Sequence, residues 1–199
     1  MAKLAELRRA VARYITEPVV RLIERTRLTP DTITWIGFLV AIGAAVMISM
    51  GHLFTAGLAV IVAGFLDILD GALARRTNRT TRFGGVLDST IDRLSEAVIL
   101  LGILIFYARS QSVVPILVVG VTLPSSLLVS YIRARAEAIG LECQVGLFTR
   151  TERVIVLAIG LCLGHIVEYA LLVALTVIAV FSLVTVVQRL LHVWQQTRG

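Results

Sequence analysis

Hydrophobic and polar positions fall along this chain in long blocks, not in the short alternation that marks strands. Apolar residues dominate 29–50, 54–73, 86–107, 113–132, 154–165 and 167–190, with polar or glycine-bearing breaks between them. Runs of this kind fit helices that cross a hydrocarbon core, which takes about 20 residues. The fifth run is short and reaches that length only if Glu152 and Arg153 sit at the interface. Thr29-Pro30-Asp31 opens the first helix, with proline suited to the first turn. Residues 1–28 differ: Leu4, Leu7, Val11, Ile15, Val19, Leu22 and Ile23 recur at helical spacing, with arginines between them. That pattern predicts an amphipathic helix lying in the membrane interface, bent near Pro18. The predicted fold is therefore all-α, in a single membrane domain over 1–199. Six transmembrane helices occupy 29–193, preceded by the interfacial helix.

Composition strengthens this picture. The 199 residues are 57% hydrophobic, above the roughly half-apolar makeup of a soluble domain, and the surplus must face lipid. Only 16% are charged, yet the net charge is +6. An anionic membrane surface or a phosphate-bearing substrate accounts for that excess better than nucleic acid. The basic residues are also placed asymmetrically. Lys3 and six arginines precede the first run, and Arg75, Arg76, Arg79 and Arg82 follow the second. Arg133, Arg135, Arg150 and Arg153 flank the fourth-to-fifth connection, and only Arg109 falls on the other face. The positive-inside rule then puts both termini and the long loops in the cytoplasm, in a multi-pass cell-membrane protein. Cys143 and Cys162 have neither disulfide-framework nor zinc-ligand spacing.

Carboxylates are the anomaly, because a charge inside a membrane helix costs about 3 kcal/mol. Asp67 and Asp70 end the second run, while Asp88, Asp92 and Glu96 begin the third. Spacings of three and four put each aspartate pair on one helix face. The short connection predicts antiparallel neighbours whose acidic ends meet. Four facing carboxylates repel unless cations neutralise them, and an all-oxygen set suits Mg2+ or Mn2+. Two such ions in one site point to phosphoryl transfer at the cytoplasmic interface. Gly71 and Gly84-Gly85 leave room for a ligand beside these acids, and Arg75 supplies a planar fork for phosphate oxygens.

The stretch reads Asp67-x2-Asp70-Gly71-x2-Ala74-Arg75-x8-Gly84-x3-Asp88-x3-Asp92, eight fixed residues over 26 positions. At every fixed position it resembles the signature of the CDP-alcohol phosphotransferases. The resemblance implies that Asp67, Asp70, Asp88 and Asp92 hold two divalent ions per site, with Asp92 as the base for the attacking hydroxyl. It further implies a CDP-lipid site of Asp31, Thr34, Asp67, Gly71, Ala74, Arg75, Thr81 and Gly84. The hydroxyl would attack the lipid-linked phosphorus, and CMP would leave.

The second half of the chain bears on the acceptor. Arg133, Arg135, Arg150, Arg153 and Arg189 gather at the same predicted end of the bundle. Several guanidiniums beside an acidic metal site call for a second anion, most simply a phosphate monoester on the acceptor alcohol. The blocks Ser130–Glu137 and Phe148–Arg153 resemble the inositol-phosphate branch of the family, in its bacterial and archaeal forms. That similarity implies CDP-diacylglycerol or CDP-archaeol as donor, 1L-myo-inositol 1-phosphate as acceptor, and a homodimer. A sibling reaction, phosphatidylglycerol phosphate synthesis from glycerol 3-phosphate, makes the same demands of an arginine pocket. A divalent-cation transporter fits less well, since its acids belong near the bilayer midplane within broken helices. Glu96 acquires no role from the sequence.

Overall fold

A computed structural model describes residues 17–23, 28–77 and 80–198 of the chain. Residues 17–23 are helical and include Pro18, while the rest of the predicted interfacial helix lies outside the described residues. Six longer helices follow: α1 (Pro30–Ser49), α2 (Leu53–Arg76), α3 (Arg82–Arg109), α4 (Val113–Ala138), α5 (Arg150–Leu163) and α6 (Ala170–Arg198). No strand occurs among the described residues.

Local chemistry sets the helix boundaries. The Thr29 side chain accepts from the Thr32 amide to start α1, with Pro30 in the first turn. Thr81 does the same for α3 by accepting from the Gly84 amide. Thr149 and Glu152 form a reciprocal capping box that opens α5. That box places Arg150 and Arg153 within the helix, where the sequence pattern suggests a flanking interface. At 14 residues, α5 is about 21 Å long, short of the ~30 Å hydrocarbon core. By length and apolarity, α1, α2, α4 and α6 are the helices able to cross a membrane on their own. The first half of α3 carries too much charge for that.

The helices close into a ring in the order α1, α2, α5, α6, α4, α3, each packed on the next and α3 returning to α1. This revises the expectation that α2 and α3 are mutual neighbours. Consecutive in sequence, they are both packed on α1, which stands between them. Close packing of α1 on α3 depends on Gly102. A Cβ there would lie 2.6 Å from the Ala45 carbonyl oxygen. The ring order also puts α3 and α5 on opposite sides of the interior.

The interior has two levels. Ile48, Leu53, Val60, Leu100, Ile103, Leu161, Leu171 and Leu175 form one continuous apolar core. These come from the C-terminal halves of α1, α3 and α5 and the N-terminal halves of α2 and α6, so one end of the ring is filled with hydrocarbon. Charged side chains occupy the other end. Trp35, Leu39, Val114, Leu117 and Leu190 face outward and exposed, as lipid contact requires.

Candidate active site

Asp67 and Asp70 sit near the end of α2, and Asp88 and Asp92 near the start of α3, so the antiparallel course brings all four to the polar end. Asp67, Asp70 and Asp88 each present an oxygen within 4.8 Å of the others. Asp70 is buried, and Thr34 of α1 donates a 2.6 Å hydrogen bond to its Oδ2. The wedge helix thus fixes a carboxylate of its neighbour. Asp92 lies on the far side of Asp67, and the two share one guanidinium. Arg150 Nη1 stands 2.7 Å from Asp67 Oδ2 and 2.7 Å from Asp92 Oδ2. Even with Arg93 also acting on Asp88, two guanidiniums among four carboxylates leave an excess of negative charge. Oxygen-only donors, convergent and under-neutralised, fit a hard divalent cation such as Mg2+ or Mn2+.

One turn deeper, Glu96 and Arg153 make a second link across the ring. Arg153 Nε donates to Glu96 Oε1 at 2.6 Å and Nη2 to Oε2 at 2.8 Å. Arg153 is 1% exposed and Glu96 9%. Arg153 Nη1 is buried without a partner. Asp92 and Glu96 are four apart on α3, and Arg150 and Arg153 three apart on α5. The pairs therefore form two rungs of one ladder between facing helices. A small cavity of about 40 Å³ adjoins both rungs and draws lining residues from all six helices.

Above the first rung lies a larger cavity of about 720 Å³, within the range of small-molecule sites. Asp67, Asp88, Asp92 and Arg93 line it from α2 and α3, and Arg133, Glu137, Arg150 and Arg189 from α4, α5 and α6. Arg133 pairs with Glu137 one turn on. Arg189 is 3% exposed, its Nε donating to the Val145 carbonyl at 2.9 Å and its Nη1 to the Val129 carbonyl. The segment bearing Val145 is held along α6. The Leu147 amide donates to Gln188, the Phe148 amide to Thr185, and Gln196 to the Glu142 carbonyl. Gly146 within it has φ +130°, and a Cβ there would meet Thr185 and Arg189.

The structure thus brings Asp67, Asp70, Asp88 and Asp92 together, with Arg150 between Asp67 and Asp92 and with Arg133 and Arg189 lining the same cavity. Arg153 lies beneath Arg150 and off the lining of the large cavity, although its charge acts on Arg189. Arg135 is exposed and also off that lining. Among the CDP-site candidates, Asp31 and Gly84 face each other where α1 meets α3, with Thr81 as the cap of α3. Arg75 folds back over Gly71, and Ala74 is half-buried beside it. The Thr34–Asp70 bond, the Glu96–Arg153 pair and the double engagement of Arg150 have no counterpart in the sequence reading. Each joins residues 36 or more positions apart, and no periodicity reports such contacts.

Residues 27–192 match the family model of the CDP-alcohol phosphatidyltransferases. The chain belongs to this family. It is 40% identical over 191 residues to archaetidylinositol phosphate synthase of Methanothermobacter thermautotrophicus, an alignment covering 96% of this chain and 94% of that one. Against phosphatidylinositol phosphate synthase of Mycobacterium tuberculosis it is 39% identical over 200 residues, covering 98% and 92%. The crystal structure of the M. tuberculosis phosphatidylinositol phosphate synthase with CDP-DAG bound superposes with a TM-score of 0.85 at 37% identity, over 91% of this chain and 94% of that one. The same enzyme in complex with manganese and citrate gives 0.82 at 36%, over 90% and 88%. The matched span contains the convergent carboxylates, and the chain is a multi-pass membrane enzyme of this family.

Proposed function

We propose that this CDP-alcohol phosphatidyltransferase moves a phosphatidyl-type group from a CDP-activated lipid to a hydroxyl of inositol 1-phosphate, releasing CMP. The observation that carries the reading is one 720 Å³ cavity lined both by Asp67, Asp88 and Asp92 and by Arg133, Arg150 and Arg189. A metal-dependent phosphoryl transfer needs the aspartates. A phosphorylated acceptor needs the arginines.

Asp67, Asp70, Asp88 and Asp92 would hold two divalent ions, Mg2+ or Mn2+. Bound there, such ions would offset the charge that builds on the pyrophosphate as it breaks. The chain's own groups do the rest. Thr34 keeps Asp70 turned toward its partners. Asp31, Thr34, Gly71, Ala74, Arg75, Thr81 and Gly84 surround the CDP moiety, the glycines leaving space and Arg75 pairing with phosphate. Asp92 takes the proton from the acceptor hydroxyl. The hydroxyl oxygen bonds to the lipid-linked phosphorus, and the bond from that phosphorus to the bridging oxygen breaks. CMP leaves with the electron pair. Arg133 and Arg189 anchor the acceptor's phosphate, Arg189 being preset by two backbone carbonyls. Arg135 adds positive field at the mouth, and Arg153 acts on Arg189 from below.

The same reading takes the protein as one membrane domain over 1–199. In it all six helices cross the bilayer, α3 and α5 presenting exposed apolar residues such as Ile105 and Ile159 outward. An interfacial helix precedes them, termini and cavity face the cytoplasm, and two copies form a homodimer. The names of the similar enzymes support inositol phosphate as acceptor, and they admit either diacylglycerol or archaeol in the donor. The test is CMP release by purified protein with Mg2+ and CDP-diacylglycerol or CDP-archaeol. Inositol 1-phosphate, glycerol 3-phosphate, free inositol and serine are offered separately. Release with inositol 1-phosphate alone is expected. Release with glycerol 3-phosphate and not inositol 1-phosphate would overturn the acceptor assignment.

A further inference from the structure

Arg150 occupies a position with two claims on it. Its Nη1 atom is 2.7 Å from carboxylate oxygens of both Asp67 and Asp92, two of the family's motif acids. Its side chain also lines the 720 Å³ cavity, together with Arg133 and Arg189. A divalent cation ligated by Asp67 and Asp92 competes with Arg150, which holds one oxygen of each. Even a cation on the other oxygens puts a double positive charge beside the guanidinium and weakens its hold.

The displaced guanidinium has limited places to go. Glu96, the next carboxylate along α3, is held at both oxygens by Arg153 and cannot capture Arg150. Nor is Arg150 locked in its present pose. Both ion pairs use the same nitrogen, and its buried Nε has no partner. Arg153, by contrast, is fixed by a bidentate pair and is almost fully buried. Of the two arginines on this face of α5, Arg150 is the one placed to move.

We propose that Arg150 is a two-position residue: it pairs with Asp67 and Asp92 until a divalent cation claims them, then turns to the acceptor's phosphate beside Arg133 and Arg189. Cation loading thereby completes the anion site. The order of assembly is cation first and phosphorylated acceptor second, and neither site is at full strength alone. This rests on the acceptor reading above. It adds a positioning residue that couples the cation site to the acceptor site.

Equilibrium binding without CDP-lipid tests the coupling apart from turnover. Inositol 1-phosphate is titrated calorimetrically into detergent-purified protein at a series of Mg2+ concentrations. In the native protein, saturating Mg2+ should tighten the acceptor on the order of tenfold, and the acceptor should tighten Mg2+ by the same factor. Arg150→Gln should bind Mg2+ more tightly than the native protein, with acceptor affinity no longer dependent on Mg2+. Asp67→Asn gives the converse check, since losing one of its two carboxylates loosens the arginine. Its acceptor affinity without Mg2+ should exceed the native value. Arg150→Lys guards against a folding defect in the glutamine variant, because a point charge is retained and coupling should fall only partly.

Coupling that persists in full in Arg150→Gln would mean the cation touches the acceptor directly, and the proposal would be wrong. Native acceptor affinity indifferent to Mg2+ would also overturn it. If only glycerol 3-phosphate binds, and shows this coupling, the arginine mechanism stands and the acceptor assignment falls. If inositol 1-phosphate turns over but shows no coupling, the reverse holds.

Discussion

The Glu96–Arg153 pair allows a prediction whose size follows from its surroundings. Both members are buried, bonded at two points, and set across the ring between facing helices. Removing one partner of such a pair costs about 3–5 kcal/mol, because the other charge stays in the interior uncompensated. In a chain of this size each kcal/mol moves Tm by roughly 2–4 °C, so a single substitution should lower it by about 6–20 °C. The two singles are not equivalent. Glu96→Met strands Arg153, whose Nη1 already lacks a partner. Arg153→Met leaves Glu96 within the field of Arg150, one turn away, which can turn toward it. Glu96→Met should therefore be the more damaging, while Arg153→Met should also weaken the Arg150 contacts to Asp67 and Asp92. The double variant Glu96→Met/Arg153→Met removes both charges and should recover most of the loss. The measurement is thermal unfolding of all four proteins in one detergent at one scan rate. Singles that shift Tm by under about 2 °C, or a double as unstable as the worse single, would refute the view that the pair is a dry interior link.

Other expectations follow from single contacts. Asp88→Asn should abolish Mg2+-dependent CMP release and weaken Mg2+ binding by calorimetry, whereas retained turnover would exclude Asp88 as a ligand. Thr34→Val removes the hydrogen bond that orients Asp70 and should weaken Mg2+ binding about 10- to 100-fold, with Thr34→Ser close to native. Arg189→Ala should raise the KM for the acceptor far more than that for the CDP-lipid; equal effects on both would remove Arg189 from the acceptor site. Gly146→Ala forces a side chain into a φ of +130° against Thr185 and Arg189, and should reproduce the Arg189→Ala pattern in weaker form.

The sequence and the structure agree where chemistry is local. Asp67 with Asp70, and Asp88 with Asp92, lie a turn apart, so helical periodicity alone shows them as two pairs on two faces. The apolar runs mark α1, α2, α4 and α6 because hydrophobicity is a property of single residues summed over a window. Interactions across the ring escape this kind of reading. Arg150 and Arg153 look like interface arginines at the start of a short run, and nothing nearby in sequence reveals Asp92 and Glu96 as their partners. The extra turns of α4 through Arg133 and Glu137, and of α6 through Arg198, run past the end of the apolar signal. The wedge of α1 between α2 and α3 is equally silent. Chain order suggests a hairpin, while small residues such as Ala45 and Gly102 permit a different neighbour.

The apolar level of the interior has a consequence for the cell as well as for the enzyme. A ring of helices with a charged, cavity-bearing interior is halfway to being a channel. Here the passage stops at Ile48, Ile103, Leu161 and Leu175, all essentially inaccessible and part of one packed cluster. Ions and protons that enter the polar end meet a packed, largely hydrocarbon layer with no charged side chain among its buried residues to carry them on. The layer acts as electrical insulation, so the enzyme can keep a highly charged workplace inside a membrane without discharging the gradient across it.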